Sequence, residues 1–87
     1  MSQSWWVYMI QTCNGRLYTG IATDVERRFA EHSSGGAKAA KFFRSDPPET
    51  VVYRAPMADR SAASREEARI KSLSRAAKLA LAANGHL

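Results

Sequence analysis

The chain has 87 residues, 45% of them apolar, and carries 13 Lys and Arg against 8 Asp and Glu, for a formal net charge of +5. That length suits one domain with a small core and excludes two independently folding units. The lone Cys13 excludes an internal disulfide and a Cys-rich zinc site, and the charge balance favours an acidic partner, nucleic acid foremost.

From the N-terminus, Ser4 to Thr12 places Trp6, Tyr8 and Ile10 on one face and Trp5, Val7 and Met9 on the other, the pattern of a strand buried on both sides. Asn14-Gly15 signals a hairpin, because both residues accept positive φ, and Leu17 to Ile21 reads as the returning strand. Two registers are open. A two-residue turn pairs Gln11 with Tyr18 and sends Tyr8 and Tyr18 to opposite faces, whereas a three-residue loop with Gly15 as a bulge brings both tyrosines to one face.

Thr23-Asp24-Val25-Glu26 matches a capping box, which predicts a helix from about Asp24 to His32. Val25 and Phe29 share one face of that helix, and Arg28 and His32 share another. Ser33-Ser34-Gly35-Gly36 ends it. Ala37 to Arg44 is expected to form a second short helix, basic at Lys38, Lys41 and Arg44 and stopped by Asp46-Pro47-Pro48. Thr50 to Arg54 is the third strand candidate. Asp59 or Ser61 can cap a helix from about Arg60 to Leu73, and Ser74 a last helix that runs to about Ala83 and halts near Asn84-Gly85. The whole of residues 1–87 therefore reads as one α+β domain.

No apolar run approaches the roughly 20 residues that span a bilayer, and no basic segment precedes an apolar one at the N-terminus. The basic residues are too scattered to make a membrane-binding amphipathic helix. With one cysteine, a reducing compartment is expected, so the chain reads as cytoplasmic, with no membrane contact and no obligate protein partner deducible.

Trp6-Val7-Tyr8, then Tyr18-Thr19-Gly20, then Asp24-Val25-Glu26-Arg27-Arg28-Phe29-Ala30-Glu31-His32, Gly36-Ala37-Lys38, Glu67-Ala68-Arg69-Ile70-Lys71-Ser72-Leu73-Ser74-Arg75 and Lys78-Leu79-Ala80-Leu81 occur in an order and spacing that resemble the GIY-YIG nuclease superfamily. The likeness covers about residues 5 to 82, which it makes the core of the single domain, and is strongest to its small stand-alone bacterial, YhbQ-like branch. It implies a small three-stranded antiparallel sheet flanked by helices and metal-dependent endonucleolytic cleavage or nicking of DNA. By the same resemblance Tyr8, Tyr18, Arg27, His32 and Glu67 are the catalytic residues, and Glu67 holds Mg²⁺ or Mn²⁺.

The residue types suit that chemistry. An arginine fork can hold a phosphate oxygen and offset charge in the transition state, one carboxylate suffices for a Mg²⁺ that keeps several waters, and a tyrosine can move a proton if its hydroxyl is assisted. Arg28, Lys38, Lys41 and Arg44 flank the expected cleft and are candidates for phosphate contacts. Each residue also has a plain structural reading. The tyrosines can be core aromatics, Arg27 can pair with Glu31, His32 can be a helix C-terminal cation, and Glu66 and Glu67 can both be solvated. Wheel geometry does not choose between the two glutamates, and Glu67 is preferred through the resemblance.

Five positions depart from the family pattern. Trp6 and Val7 replace Gly and Ile, Ala39-Ala40 stand where relatives carry Tyr-Thr, and Ser64 replaces a Leu. Loss of the Tyr and Thr removes two hydroxyls near the expected site. The rival reading is therefore a DNA-binding module of the same fold with weak or lost chemistry.

Overall fold

The structure is a computed structural model that describes residues 4–84. In chain order it holds β1 (Trp5–Thr12), β2 (Leu17–Ala22), α1 (Val25–Ser34), a single 3₁₀ turn (Lys41–Phe43), β3 (Pro48–Met57), α2 (Arg60–Lys71) and α3 (Arg75–Asn84). The three strands form one antiparallel sheet in the order β2-β1-β3. The expected α+β fold with a small three-stranded antiparallel sheet flanked by helices is what forms.

The double-sided apolar pattern of β1 places it at the centre. Val7, Tyr8, Met9 and Ile10 are all buried. On one face Tyr8, Ile10 and Ala22 pack with Val25 and Phe43, while Trp6, Tyr18, Phe29 and Phe42 border them. On the other face Val7, Met9 and Tyr53 pack with Ile70 of α2, bordered by Leu17, Ile21 and Leu81. Thus α1 and the 3₁₀ turn cover one side of the sheet, and α2 with α3 the other. A buried aliphatic or aromatic side chain contributes about 1.5–3 kcal/mol, so the central strand supplies much of the stability of so short a chain.

The N-cap of α1 falls one residue later than expected. Asp24, and not Thr23, is the N-cap: its backbone is extended and its Oδ1 accepts the Arg27 amide at 3.0 Å. A carboxylate there also complements the helix dipole. Glu26, the other half of the expected capping box, is drawn instead into an ion pair with Arg54 of β3. Gly35, at φ 70, ends the helix as expected.

The expected helix from Ala37 to Arg44 shrinks to the Lys41–Phe43 turn. The Ala40 amide is donated to the ring of His32 at 3.3 Å, not to a helical carbonyl, and both Phe42 and Phe43 are pulled onto the sheet beside Tyr18. β3 runs longer than Thr50 to Arg54 because it is an edge strand. There Pro48 and Pro56 cost no ladder bond on the open side, and two register shifts absorb the extra residues. Asp59 caps α2 by accepting the Ala62 amide at 2.8 Å, and Ser74 caps α3 by accepting that of Ala77 at 3.1 Å. The expected stop at Gly85 lies outside the described residues.

Candidate active site

The hairpin decides whether a site exists. Its loop is the three-residue one, Cys13-Asn14-Gly15: the Thr12 amide donates to the Arg16 carbonyl at 2.8 Å and Gly15 sits at φ 83. Ile10 therefore faces Tyr18, and Tyr8 faces Gly20. Tyr8 and Tyr18 share a face, with ring centroids 6.4 Å apart.

A buried carboxylate pins this register. Asp46 is only 1% exposed and accepts from Thr12 Oγ1 at 2.6 Å, the Asn14 amide at 3.1 Å and Asn14 Nδ2 at 2.9 Å. Burial pushes its pKa up, but these donors outweigh that and hold it below the usual carboxylate value. Gly20 is required by the tyrosines. A Cβ there would lie 2.5 Å from Tyr8 Oη and 3.2 Å from the Tyr18 ring. The Tyr-x-Gly pattern thus follows from two aromatic rings sharing one narrow face.

His32 reaches the same face from α1. It is 1% exposed and its Nε2 lies 3.0 Å from Tyr8 Oη, while its Nδ1 accepts the Ala40 amide. A nitrogen that accepts carries no proton, so the neutral ring bears its hydrogen on Nε2 and donates it to Tyr8. Burial, followed by the charge of Arg28, lowers the His32 pKa to about 4, so the ring is neutral near pH 7. Tyr8 is shifted the other way. Burial and the neighbouring Tyr18 push its pKa well up, only partly offset by Arg28. With its lone pair engaged by His32, the Tyr8 hydroxyl keeps a proton to donate into the cleft. Tyr18 is half-buried and packs edge-on to His32 at 5.4 Å.

The two arginines of α1 lie the other way round from the placement expected from the sequence. Arg28 is half-buried and close enough for its charge to act on both Tyr8 and Tyr18, and its Nη1 donates to Glu31 Oε1 at 2.9 Å and to the Lys38 carbonyl at 2.7 Å. Arg27 is exposed and lines a separate hollow with Trp6, Asp24, Glu26 and Arg54. Helical spacing explains the placement, because Arg28 lies one turn before His32 and Arg27 does not. Arg28, placed with the flanking phosphate contacts on sequence, joins the tyrosines, and Arg27, placed among the catalytic residues, does not. Lys38, Lys41 and Arg44 lie exposed on the segment after α1.

Glu67 is half-buried on α2, and its charge is felt by the Tyr8 hydroxyl, raising its pKa. It pairs with Lys71 at 3.2 Å. Glu66 is instead held by both ends of its carboxylate to Arg69, at 2.8 and 2.6 Å. Among the described residues no cluster of three or more His, Cys, Asp or Glu side chains stands ready for a metal ion. A cation at Glu67 would rely on that one carboxylate, water and substrate oxygens, which fits Mg²⁺ better than a metal needing a full protein cage. Sequence reading missed Asp46, Phe42 and Phe43. The Asp46-Pro47-Pro48 run reads only as a helix stop, and the paired phenylalanines carry no polar chemistry, so no local signal marked them.

Residues 4–80 match the GIY-YIG catalytic domain, and the chain belongs to that family, whose domain is of nuclease type. It is 48% identical over 81 residues to the UPF0213 protein YhbQ of Escherichia coli strain K12, covering 93% of this chain and 79% of that protein. The corresponding protein of Shigella boydii serotype 18 is 47% identical over the same length. The fold also matches the solution NMR structure of a UPF0213 protein from Bacillus halodurans, with a TM-score of 0.57 and 36% identity over 92% of this chain and 83% of that one. No helix among the described residues is long and apolar enough to cross a membrane.

Proposed function

We propose that the protein is an endonuclease that hydrolyses or nicks DNA phosphodiester bonds at the Tyr8–Tyr18 face with Mg²⁺ or Mn²⁺. The observation that carries this is the convergence of Tyr8, Tyr18, His32 and Arg28 on one face beside Gly20, within reach of the Glu67 charge. Arg28 exchanges its Lys38 carbonyl contact for a non-bridging oxygen of the scissile phosphate and offsets the charge that builds there. Tyr8, kept protonated by burial and fixed by His32, donates to the attacking water or a phosphate oxygen and orients it. Tyr18, the half-exposed tyrosine, relays a proton: its oxygen accepts the one the water loses as it bonds to phosphorus while its own hydrogen passes to solvent, one P–O ester bond breaks, and the departing oxygen takes a proton from solvent. Glu67 would hold the cation, which when bound polarises the phosphate and acidifies water.

The test is nicking of supercoiled plasmid with Mg²⁺ or Mn²⁺, with thermal melts to show that variants fold. Glu67→Gln and Arg28→Ala are expected to lose cleavage, the latter by roughly 10²–10³-fold, the usual cost of one transition-state charge partner. Arg27→Ala and Glu66→Gln are expected to retain it. Equal activity in wild type and Arg28→Ala would remove the assignment.

Two observations favour a second reading, a DNA-binding module without efficient chemistry. Ala39 is buried and Ala40 half-buried where hydroxyl-bearing residues are usual in relatives, and Arg28 is already tied to Glu31. Salt-sensitive DNA binding with no cleavage of duplex, single-stranded or branched DNA would select it.

A further inference from the structure

Beyond the tyrosine face, the hairpin and the start of α3 enclose a groove of about 230 Å³ lined by Arg16, Leu17, Phe42, Arg75 and Lys78. Three of its five lining residues are cationic and none is acidic. The Arg16 guanidinium lies over the Phe42 ring at 4.1 Å, leaving its fork accessible, and its nearest carboxylate, on Asp46, is 3.8 Å away. Arg75 donates to the Gly15 carbonyl at 2.8 Å, which fixes the α3 N-terminus against the hairpin, yet among the described residues neither Arg75 nor Lys78 has an acidic partner. Helix α3 itself contains no Asp or Glu from Arg75 to Asn84. Clustered cations repel one another, and although Asp46 offsets Arg16, the charges of Arg75 and Lys78 have no carboxylate against them among the described residues, so the groove favours an anion.

The groove borders the candidate active site through Phe42, which lines it and also packs against Tyr18, with centroids 5.3 Å apart. We infer that Arg16, Arg75 and Lys78 form a phosphate track that holds the sugar–phosphate backbone of the nucleic acid on the Tyr18 side of the scissile bond, with Phe42 and Leu17 giving the strand an apolar floor. This deepens the nuclease reading and rests on it for where the strand is cut, but not for whether the groove binds. It is distinct from the Lys38, Lys41 and Arg44 segment, which follows α1.

The probe is a fluorescein-labelled DNA duplex of about 20 base pairs, read by anisotropy from 50 to 200 mM salt without divalent metal. Each phosphate contact adds about 0.9 to the slope of log affinity against log salt, so Arg75→Ala/Lys78→Ala should lower the magnitude of that slope by about 1.8. Across that salt range the wild type should then lose about 12-fold more affinity than the double variant. Because Arg75→Ala also removes a contact to the hairpin, Lys78→Glu is measured beside it. Its ammonium makes no hydrogen bond or ion pair among the described residues, and reversing its charge should weaken binding further at low salt. Thermal melts check folding, and Arg65→Ala, on the outer side of α2, is the control. Unchanged affinity and slope in both groove variants, or an equal loss in Arg65→Ala, would overturn the track. Plasmid nicking by the wild type is scored separately. Nicking with an unchanged slope leaves the nuclease reading intact and removes the track, whereas a reduced slope without nicking sustains the track and removes the nuclease.

Discussion

The neutral, buried His32 predicts a pH-dependent loss of stability that a substitution can isolate. In the folded protein its pKa is lowered from 6.5 to about 4, by burial first and by the Arg28 charge second, with Glu31 opposing weakly. In the unfolded chain it titrates near 6.5. Between those values the unfolded state binds the extra proton, so stability falls as pH drops from about 6.5 towards 4, and above pH 6.5 the ring has no effect on the slope. The gap of about 2.5 units corresponds to about 3 kcal/mol lost by pH 4, roughly 1.4 kcal/mol per pH unit in the middle of the window.

His32→Gln keeps a donor for Tyr8 but cannot titrate and leaves the Ala40 amide without its acceptor, so it should be about 1–3 kcal/mol less stable than wild type at pH 7.5. Urea unfolding at pH 7.5, 6.5, 5.5 and 4.5 should then show the two proteins converging as the pH falls. Glu26, Glu31, Asp46 and Glu66, all with lowered pKa values, lose their own contributions as the solution becomes acid, but in both proteins alike, so the difference reports His32. Parallel stability curves would refute the buried neutral ring, and with it the tautomer that makes Tyr8 a proton donor.

Two further predictions test what builds the site. Gly20→Ala places a methyl 2.5 Å from Tyr8 Oη and must push the ring off His32. A cost of about 1–3 kcal/mol in urea unfolding is expected, and an unchanged stability would show that the tyrosines are not confined there. Asp24→Ala should cost about 1 kcal/mol through the lost cap, while Thr23→Ala should stay within about 0.5 kcal/mol. The reverse order in thermal melts would restore Thr23 as the cap.

The sequence by itself determined the three strands and the three helices, because they rest on local physics. The two-faced apolar run of β1, the Asn14-Gly15 turn, the glycines after α1 and the Asp59 and Ser74 caps each specify their structure through neighbours a few residues away. It also paired Arg28 with His32 by helical spacing and carried the motif order that marks the family. What it could not determine were choices settled by residues distant along the chain. Both hairpin registers satisfy local turn chemistry, and the three-residue loop is selected where Asp46, more than thirty residues on, accepts hydrogen bonds from Thr12 and Asn14. Which arginine of α1 meets the tyrosines depends on how the narrow Val25–Phe29 stripe docks on the sheet, and one residue of helix rotates a side chain by about 100°. The segment from Ala37 carries helix-forming residues, yet the His32 ring captures the Ala40 amide and the sheet captures Phe42 and Phe43. Tertiary contacts there outweigh an intrinsic preference worth only a few tenths of a kcal/mol per residue.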